Sequence, residues 1–309
     1  MKKSLKFSIV TPCFNAARFI GEAIESVARQ RGEVPSVEHI IADAESSDGT
    51  EKVLSGFPHL RLDRRKDLGI YDGMNRAIAL AEGDIIGIVN ADDLLAPHAL
   101  SHAAGIFATT DADIVTGAFE MIDQDGRLCS GPFRPTCAPT YEGLLFGIPA
   151  INARFFKRSV FADHGPFELE LGLAADRAWL LKMQRAGLRF AHTPEVLYRY
   201  RQHEGSQTMA GDGGARDRVW SQNVVMAQML LQRMEPGDPG VAALKALCAV
   251  EAAKLALTGL AGRGQPNRST GTMAAAGKVT STLLGSPHHL IRGMRYWRRF
   301  RDHHSDTRP

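Results

Sequence analysis

The sequence lacks the features that mark several large protein classes. None of the apolar runs in its 309 residues reaches the roughly 18 residues that a membrane span requires. There are 4 cysteines without any CxxC spacing, Cys13, Cys129, Cys137 and Cys248. This scatter argues against a structural zinc site and, in a chain of this size, against a disulfide framework. The formal net charge is only +3, which gives no reason to expect a nucleic-acid partner.

Two common phosphate-binding loops are also missing. No strand-like segment leads into GxGxxG, the turn of the Rossmann dinucleotide site, or into GxxxxGK[ST], the P-loop. The long hydrophobic region of a secretion signal is absent too, because the basic start Met1-Lys-Lys-Ser-Leu-Lys runs directly into a strand-like segment. This start predicts a cytoplasmic protein.

The first 130 residues instead alternate between apolar strand-like runs and amphipathic helices. The predicted strands are residues 6–11, 37–42, 60–62, 85–89 and 114–116. Pro12 predicts that the chain turns directly after the first of them, since proline cannot donate to a sheet interior. The alternation predicts an α/β fold with right-handed crossovers, whose mostly parallel central sheet is flanked by helices.

Two adjacent carboxylates, Asp92 and Asp93, follow the buried run 85–89. In a parallel sheet they would lie at the same edge as Thr11 and Asp43, where open α/β folds bind ligands. Hard oxygen ligands suit Mg²⁺ or Mn²⁺ on a diphosphate. The pair could instead cap the next helix or form an Asx turn. Because this edge has no Gly-rich loop, a diphosphate bound there needs a cation, which favours the metal interpretation.

Four motifs in a fixed order resemble glycosyltransferase family 2. They are Phe-Ser-Ile-Val-Thr-Pro-Cys-Phe-Asn (7–15), His-Ile-Ile-Ala-Asp-Ala-Glu-Ser-Ser-Asp-Gly-Thr (39–50), Gly-Ile-Tyr-Asp-Gly-Met-Asn (69–75) and Gly-Asp-Ile-Ile-Gly-Ile-Val-Asn-Ala-Asp-Asp (83–93). The resemblance covers about the first 205 residues and is strongest up to Asp93. It implies an inverting, metal-dependent enzyme of GT-A fold that uses a nucleotide-sugar donor.

The resemblance also implies roles for the matching residues. Those that would bind the donor are Thr11, Pro12, Asn15, Asp43, Asp48, Lys66, Gly69, Asn75 and Asp92. Asp43 would hydrogen-bond the base, and Asp92 would face the ribose. Asp93 would bind the divalent cation, with His203 either completing the metal shell or being an ordinary surface histidine. The chain departs from the family pattern at Asn90, where many members have aspartate, and at Ala44-Glu45.

Asp176 is the candidate general base. An inverting transfer needs a base that deprotonates the acceptor hydroxyl, and the family commonly carries Glu-Asp before a helix at this point. Here Ala175 replaces the glutamate, so Asp176 is the carboxylate that remains. The alternative is that Asp176 only stabilises the positive end of the helix dipole.

The predicted organisation is a catalytic domain over residues 1–215 and a helical extension over residues 216–309. The catalytic domain would divide into a nucleotide-sugar half, about 1–117, and an acceptor half, about 118–215. Its predicted reaction transfers a sugar to a hydroxyl of a saccharide or lipid-linked acceptor, in cell-surface polysaccharide or glycolipid synthesis. The rival interpretations are a sugar nucleotidyltransferase, which would normally show a Gly-rich basic loop after the first strand, and a nucleotide-sugar-binding module that has lost catalysis.

The C-terminal end has its own pattern. Residues 262–272 predict a flexible linker. From Leu290 onward, arginines alternate with apolar residues around Trp297, as in a basic amphipathic helix. Such a helix suits peripheral contact with an anionic membrane at its inner face, or packing against the catalytic domain with its basic side in solvent.

Overall fold

The computed structural model describes residues 5–135, 140–206 and 213–261. The predicted linker 262–272 and the basic segment from Leu290 lie outside the described residues. The chain divides into two compact units. The first contains the described residues 5–135, 150–169 and 183–202, and the second contains 140–149, 170–182, 203–206 and 213–261. The predicted boundary after residue 215 stays a prediction, since the division groups segments 140–149 and 170–182 with the C-terminal helices.

All the described strands belong to the first unit. They are β1 (Lys6–Cys13), β2 (Ser36–Asp43), β3 (Arg61–Arg64), β4 (Ile85–Ile88), β5 (Leu94–Leu95), β6 (Ile114–Ile122), β7 (Leu128–Phe133), β8 (Arg154–Lys157) and β9 (Phe190–Arg201). The α-helices of both units are α1 (Ile20–Ala28), α2 (Thr50–Leu54), α3 (Ile70–Ala79), α4 (Ala99–Thr109), α5 (Tyr141–Phe146), α6 (Arg158–His164), α7 (Ala175–Arg185), α8 (Gly213–Gln232) and α9 (Gly240–Ala261). Two short 3₁₀ helices cover Ile151–Ala153 and Leu169–Ala174.

The strands form one sheet in the order β3-β2-β1-β4-β8-β6-β9-β5, with β7 paired to β6. The first four strands of this order are parallel, which confirms the prediction for the N-terminal half. Beyond β4 the sheet is mixed, because β8 is antiparallel to both of its neighbours while β9 is parallel to β6. The parallel part brings the carboxyl ends of β1, β2 and β4 to one edge.

Two local predictions for the strands were wrong. β1 does not end at Thr11 but runs through Pro12 to Cys13. Its pairing with β4 stops at Val10, so Pro12 has a strand on one side only and its missing N–H disrupts no ladder there. The strand predicted over 114–116 does not end there but continues to Ile122 as β6.

The core beneath the site edge lies between the sheet and helices α1 and α2. Its buried side chains are Cys13, Ile20, Ile24, Ile41, Leu54 and Ala91. Helix α3 packs against β1 and β2, and a Cβ atom at Gly73 would lie 3.3 Å from the Cβ of Pro12. Glycine at this position therefore lets α3 approach the end of β1 closely.

The second unit is helical. Its α8 and α9 pack against each other, and α5 packs against α9. Lys254 Nζ lies 5.4 Å from the centre of the Trp220 ring, and Thr258 Oγ1 donates to Asp217 across 3.3 Å. Among the described residues, no helix is both long and apolar enough to cross a membrane.

Candidate functional site

The loops after β1 and β2 are joined by hydrogen bonds at the carboxyl edge of the sheet. The N–H of Asn15 donates to Ser46 Oγ across 2.8 Å, and the N–H of Ser47 donates to Asn15 Oδ1 across 2.9 Å. Asn15 itself has a φ of 48°, a left-handed conformation that asparagine adopts more readily than most residues. The two loops therefore form one connected surface.

Asp48 holds the start of this surface, while its predicted role at the donor stays a prediction. Its carboxylate accepts from the N–H of Ala17 across 3.0 Å and from the N–H and hydroxyl of Thr50. Burial acts to raise the pKa of Asp48, but these hydrogen bonds outweigh it and hold the pKa below its usual range. Asp48 is thus an ionised anchor that fixes the β2–α2 loop against the β1–α1 loop.

Asp43 and Thr11, both expected at the donor, have buried side chains. Asp43 accepts from Ser46 Oγ across 2.5 Å and from Arg64 Nε across 3.1 Å. Thr11 Oγ1 lies 2.9 Å from His39 Nε2 inside the unit. Burial lowers the pKa of His39 to about 3, so the imidazole is neutral. A donor-binding role for these two residues stays a prediction.

The loop before α3 presents a short exposed segment. Gly69 has a φ of 123°, and its N–H donates to Asp67 Oδ1 across 3.0 Å. The N–H of Leu68 donates to Asp72 Oδ2 across 3.0 Å, and the Leu68 side chain is 85% exposed. Lys66, predicted at the donor, is exposed in the same segment.

Asn75 has a structural task that the motif did not reveal. Its Nδ2 donates to the carbonyl of Phe167 across 2.9 Å, and its Oδ1 accepts from the N–H of Phe167 across 2.9 Å. Both ends of the amide are therefore engaged by one backbone position 92 residues away. The pairing ties α3 to the segment that contains Phe167, and the donor contact of Asn75 stays a prediction.

The acid pair after β4 divides into one buried and one half-buried carboxylate. Asp93 is 4% exposed, whereas Asp92 is half-buried at the edge of the sheet. Oδ1 of Asp93 accepts from the N–H of Arg201 across 2.7 Å. Oδ2 accepts from the hydroxyl of Tyr198 across 2.8 Å and from Nδ2 of Asn90 across 3.1 Å. Asp93 is thus the member of the pair that is tied into the fold.

A wider polar network surrounds Asp93. Nδ2 of Asn152 donates to Oδ1 of Asn90 across 3.1 Å, and the N–H of Asn90 donates to the hydroxyl of Tyr198 across 3.0 Å. Asn90 therefore needs both an acceptor and a donor on its side chain, which aspartate does not supply. This requirement gives a physical reason for asparagine where many family members have aspartate.

The buried position of Asp93 also changes the pKa of its carboxyl group. Burial and the neighbouring charge of Asp92 raise the pKa of Asp93 to about 8, although its three hydrogen bonds oppose the shift. Burial and the charge of Asp93 also raise the pKa of the Tyr198 hydroxyl. Both oxygens of Asp93 accept hydrogen bonds inside the fold, and its metal-ligand role stays a prediction.

The half-buried Asp92 fits a divalent cation better. Mg²⁺ and Mn²⁺ are commonly held by one or two carboxylates together with substrate phosphate oxygens rather than by a cage of protein ligands. Among the described residues there is no group of three or more His, Cys, Asp or Glu side chains that could hold a metal ion.

Asp176 and His203 belong to the second unit. Asp176 lies in the first turn of α7, and its Oδ1 accepts from the N–H of Arg177 across 2.6 Å. The buried Arg177 side chain donates to the carbonyls of Leu144, Leu145 and Gly147, which fixes the start of α7 against the end of α5. His203 Nδ1 accepts from the N–H of Gly205 across 3.2 Å, and its metal role stays a prediction.

The family is decided by a match over the region that contains this edge. The profile of Glycosyl transferase family 2 matches residues 8–165, about half of the chain. The chain belongs to glycosyltransferase family 2. The match begins within β1 and extends beyond the acid pair into α6, so it includes all three strand ends that form the edge.

Relatives of this glycosyltransferase include proteins from several bacteria. The "PGL/p-HBAD biosynthesis glycosyltransferase" of Mycobacterium tuberculosis is 32% identical over 178 residues, which are 55% of this chain and 66% of that protein. The chain thus spans just under two thirds of the length of this relative. "Chondroitin synthase" of Escherichia coli is 26% identical over 205 residues, 64% of this chain and 29% of that protein.

Solved structures show that the glycosyltransferase has a GT-A fold. S. aureus TarS 1-349 in complex with UDP-GlcNAc superposes with a TM-score of 0.65 at 18% identity, covering 90% of this chain and 81% of that one. The mannosyltransferase PcManGT of Pyrobaculum calidifontis, in complex with GDP-Man and Mn²⁺, gives a TM-score of 0.57 at 19% identity, covering 99% and 89%. At these identities the likeness shows the fold alone.

Sequence reasoning missed two residues of the network, Asn152 and Tyr198. Tyr198 and Arg201 lie on β9, where polar tips follow apolar residues in Val-Leu-Tyr-Arg-Tyr-Arg. A tyrosine within a buried strand usually needs a partner for its hydroxyl, which was the available signal. Asn152, in a short 3₁₀ helix, gave no such signal.

Proposed function

We propose that this glycosyltransferase moves a sugar, with inversion at the anomeric carbon, from a nucleoside diphosphate donor to a hydroxyl group of an acceptor. The observation that carries the proposal is the half-buried Asp92 at the carboxyl edge of a GT-A sheet, next to the joined loops after β1 and β2. Membership of family 2 and the nucleotide sugars named for the solved relatives, UDP-GlcNAc and GDP-Man, support it.

The donor's diphosphate would be held with a divalent cation, Mn²⁺ or Mg²⁺. We assign the metal-facing carboxylate to Asp92 rather than Asp93, because Asp92 is half-buried at the edge while the oxygens of Asp93 are engaged. A bound cation would stabilise the negative charge that develops on the leaving diphosphate. His203 remains a candidate for a further ligand.

Asp176 is proposed as the general base. Its carboxylate takes the proton of the acceptor hydroxyl while that oxygen forms a bond to the anomeric carbon. The bond between this carbon and the diphosphate oxygen breaks, and the nucleoside diphosphate leaves with the electron pair. The N–H of Arg177 holds one carboxylate oxygen, and a held carboxylate suits this task because a general base must be positioned.

The proposed acceptor is a hydroxyl of a saccharide or a lipid-linked saccharide. The names of the relatives, a PGL/p-HBAD biosynthesis glycosyltransferase and a chondroitin synthase, support an acceptor in glycolipid or polysaccharide synthesis. A cytoplasmic location, with peripheral contact at the inner face of the membrane, belongs to the same proposal.

The test is donor turnover by the purified protein. UDP-, GDP- and dTDP-sugars are each incubated with Mn²⁺, with Mg²⁺ or with EDTA, and release of the nucleoside diphosphate is measured with and without saccharide acceptors. We expect release from one class of donor, dependent on the cation. Release of a nucleoside monophosphate or of pyrophosphate would instead favour the nucleotidyltransferase. Tight donor binding without any release would favour the binding module.

A further inference from the structure

We infer that Arg201 is the positioning residue for the loop after β4 that carries Asp92 and Asp93, called the acid loop below. It sets the backbone at Asp92 from which the metal-facing carboxylate extends. The inference rests on the proposed function. Arg201 is the last residue of β9, its side chain is 0% exposed, and no sequence motif assigned it a role.

Arg201 contacts both members of the acid pair through different groups. Its backbone N–H donates to Asp93 Oδ1 across 2.7 Å, and its Nε donates to the carbonyl oxygen of Asp92 across 2.8 Å. One residue therefore fixes the side chain of Asp93 and the main chain of Asp92. The bond to Asp92 is made to its main-chain carbonyl, the point from which the direction of the Asp92 side chain is set.

The rest of the guanidinium is held by three other residues of the same unit. Nη1 donates to the carbonyl of Gln124 in the β6–β7 turn across 2.9 Å, and Nη2 pairs with Glu22 of α1 across 2.8 Å. Cζ lies 4.9 Å from the centre of the Phe19 ring. The acid loop, the β6–β7 turn and α1 are thus joined through one planar cation.

This arrangement requires arginine rather than any cation. A guanidinium donates along fixed directions from three nitrogens, whereas a lysine ammonium is a single point on a flexible stem. Lysine at position 201 would keep the backbone bond to Asp93 and one charged contact, but it could not hold Asp92, Gln124 and Glu22 together. The Asp92 backbone would then be free to shift, and the orientation of its carboxylate would no longer be fixed in advance.

The experiment measures binding of UDP and GDP by calorimetry, with Mn²⁺ and with EDTA, and uses the nucleotide that the wild type binds more tightly. For Arg201→Lys we expect binding in Mn²⁺ to weaken roughly 10-fold, as for residues that orient metal ligands, while binding in EDTA stays within about two-fold. The matched control is Arg199→Lys, on the same strand, whose Nε pairs with Glu120 across 2.9 Å and whose side chain is 35% exposed. It should bind like the wild type in both conditions.

A second variant covers the case in which Arg201→Lys does not fold. Glu22 is 54% exposed, so Glu22→Gln removes the negative charge from one anchor of the guanidinium while the buried contacts remain. It should weaken binding in Mn²⁺ in the same selective way, by a smaller factor.

Unchanged binding in Mn²⁺ by a folded Arg201→Lys, or by Glu22→Gln if the first variant is unfolded, would overturn the inference. So would an equal loss in Mn²⁺ and EDTA. If the wild type binds neither nucleotide in Mn²⁺, dTDP is measured in the same way, and failure to bind dTDP as well would overturn the proposed function itself.

Discussion

The hydroxyl of Tyr198 donates a hydrogen bond to Oδ2 of Asp93 across 2.8 Å, although the two residues are 105 positions apart in the sequence. Both are buried, and the same hydroxyl accepts from the N–H of Asn90 across 3.0 Å. β9 is thereby hydrogen-bonded to the loop after β4. The acid pair is held by a strand that enters the sheet about one hundred residues later in the chain.

Removing this hydroxyl should destabilise the protein. Tyr198→Phe leaves Oδ2 of Asp93 with one donor fewer and the N–H of Asn90 without its acceptor, both in the interior. We expect the free energy of unfolding to fall by about 1–3 kcal/mol, the usual cost of stranding a buried polar group. Urea denaturation measures it. As a control, Tyr200→Phe removes a longer contact, 3.5 Å to Asn152, and should cost less. An equal loss of unfolding free energy in both variants would contradict the stabilising role of the Tyr198 hydroxyl.

The two acids should respond differently to the same substitution. Asp92→Asn removes a charge from a half-buried group and should weaken nucleoside diphosphate binding in Mn²⁺ but not in EDTA, with little change in stability. Asp93→Asn turns an acceptor that faces Asn90 Nδ2 into a donor on one side. It should lower the free energy of unfolding by about 1–3 kcal/mol. Thermal unfolding and calorimetry of both variants decide the assignment. If Asp93→Asn weakened nucleoside diphosphate binding in Mn²⁺ but not in EDTA, without destabilising the protein, Asp93 would be the metal ligand.

Asp176→Asn tests the general base. Asparagine keeps the size of the side chain and can still accept from the N–H of Arg177, but it cannot take a proton from the acceptor. The transfer rate should fall by about 10²–10⁴-fold while donor affinity stays near that of the wild type. Single-turnover transfer and nucleotide binding are measured side by side. Glu170→Gln, an exposed carboxylate of the same unit, is the control and should transfer normally. Unchanged transfer by Asp176→Asn would exclude it as the base.

Asp113 should make the fold sensitive to acid. Burial acts to raise the pKa of Asp113, but hydrogen bonds from the side chain and backbone of Arg189 and from Lys157, each 3.0–3.1 Å long, outweigh it and hold the pKa far below its usual range. Since the folded-state pKa lies below the unfolded-state pKa, this stabilisation is present above an unfolded pKa of about 3.9 and is lost as the pH falls further.

Asp113→Asn should therefore cost about 1.5–3 kcal/mol at neutral pH, where charged hydrogen bonds are lost. The cost should shrink as the pH falls toward 2, because the unfolded state then binds a proton at Asp113 that the folded state, with its lower pKa, does not bind. Urea denaturation of both proteins between pH 7 and pH 2 gives the comparison. A cost that is independent of pH would show that Asp113 contributes through packing rather than through its charge.

What the sequence alone determined are the features that depend on local pattern. The apolar run before Asp92 and the individual strand and helix patterns can each be recognised within about ten residues. These patterns were sufficient for the parallel half of the sheet, the edge where its strand ends meet, and the family. They failed locally at Pro12, because whether a proline is tolerated depends on how far the neighbouring strand extends.

Only the tertiary structure decided which side chains serve the site and which hold it. Asp92 and Asp93 are neighbours of the same type, and their difference comes from Tyr198 and Arg201, which approach from β9. Asn75 likewise lies in a donor motif, yet its amide is used by Phe167. Burial and hydrogen-bond partners set the charge and the accessibility of a carboxylate or amide. Those partners come from segments about one hundred residues away, so a local motif could locate the site without assigning the task of each residue.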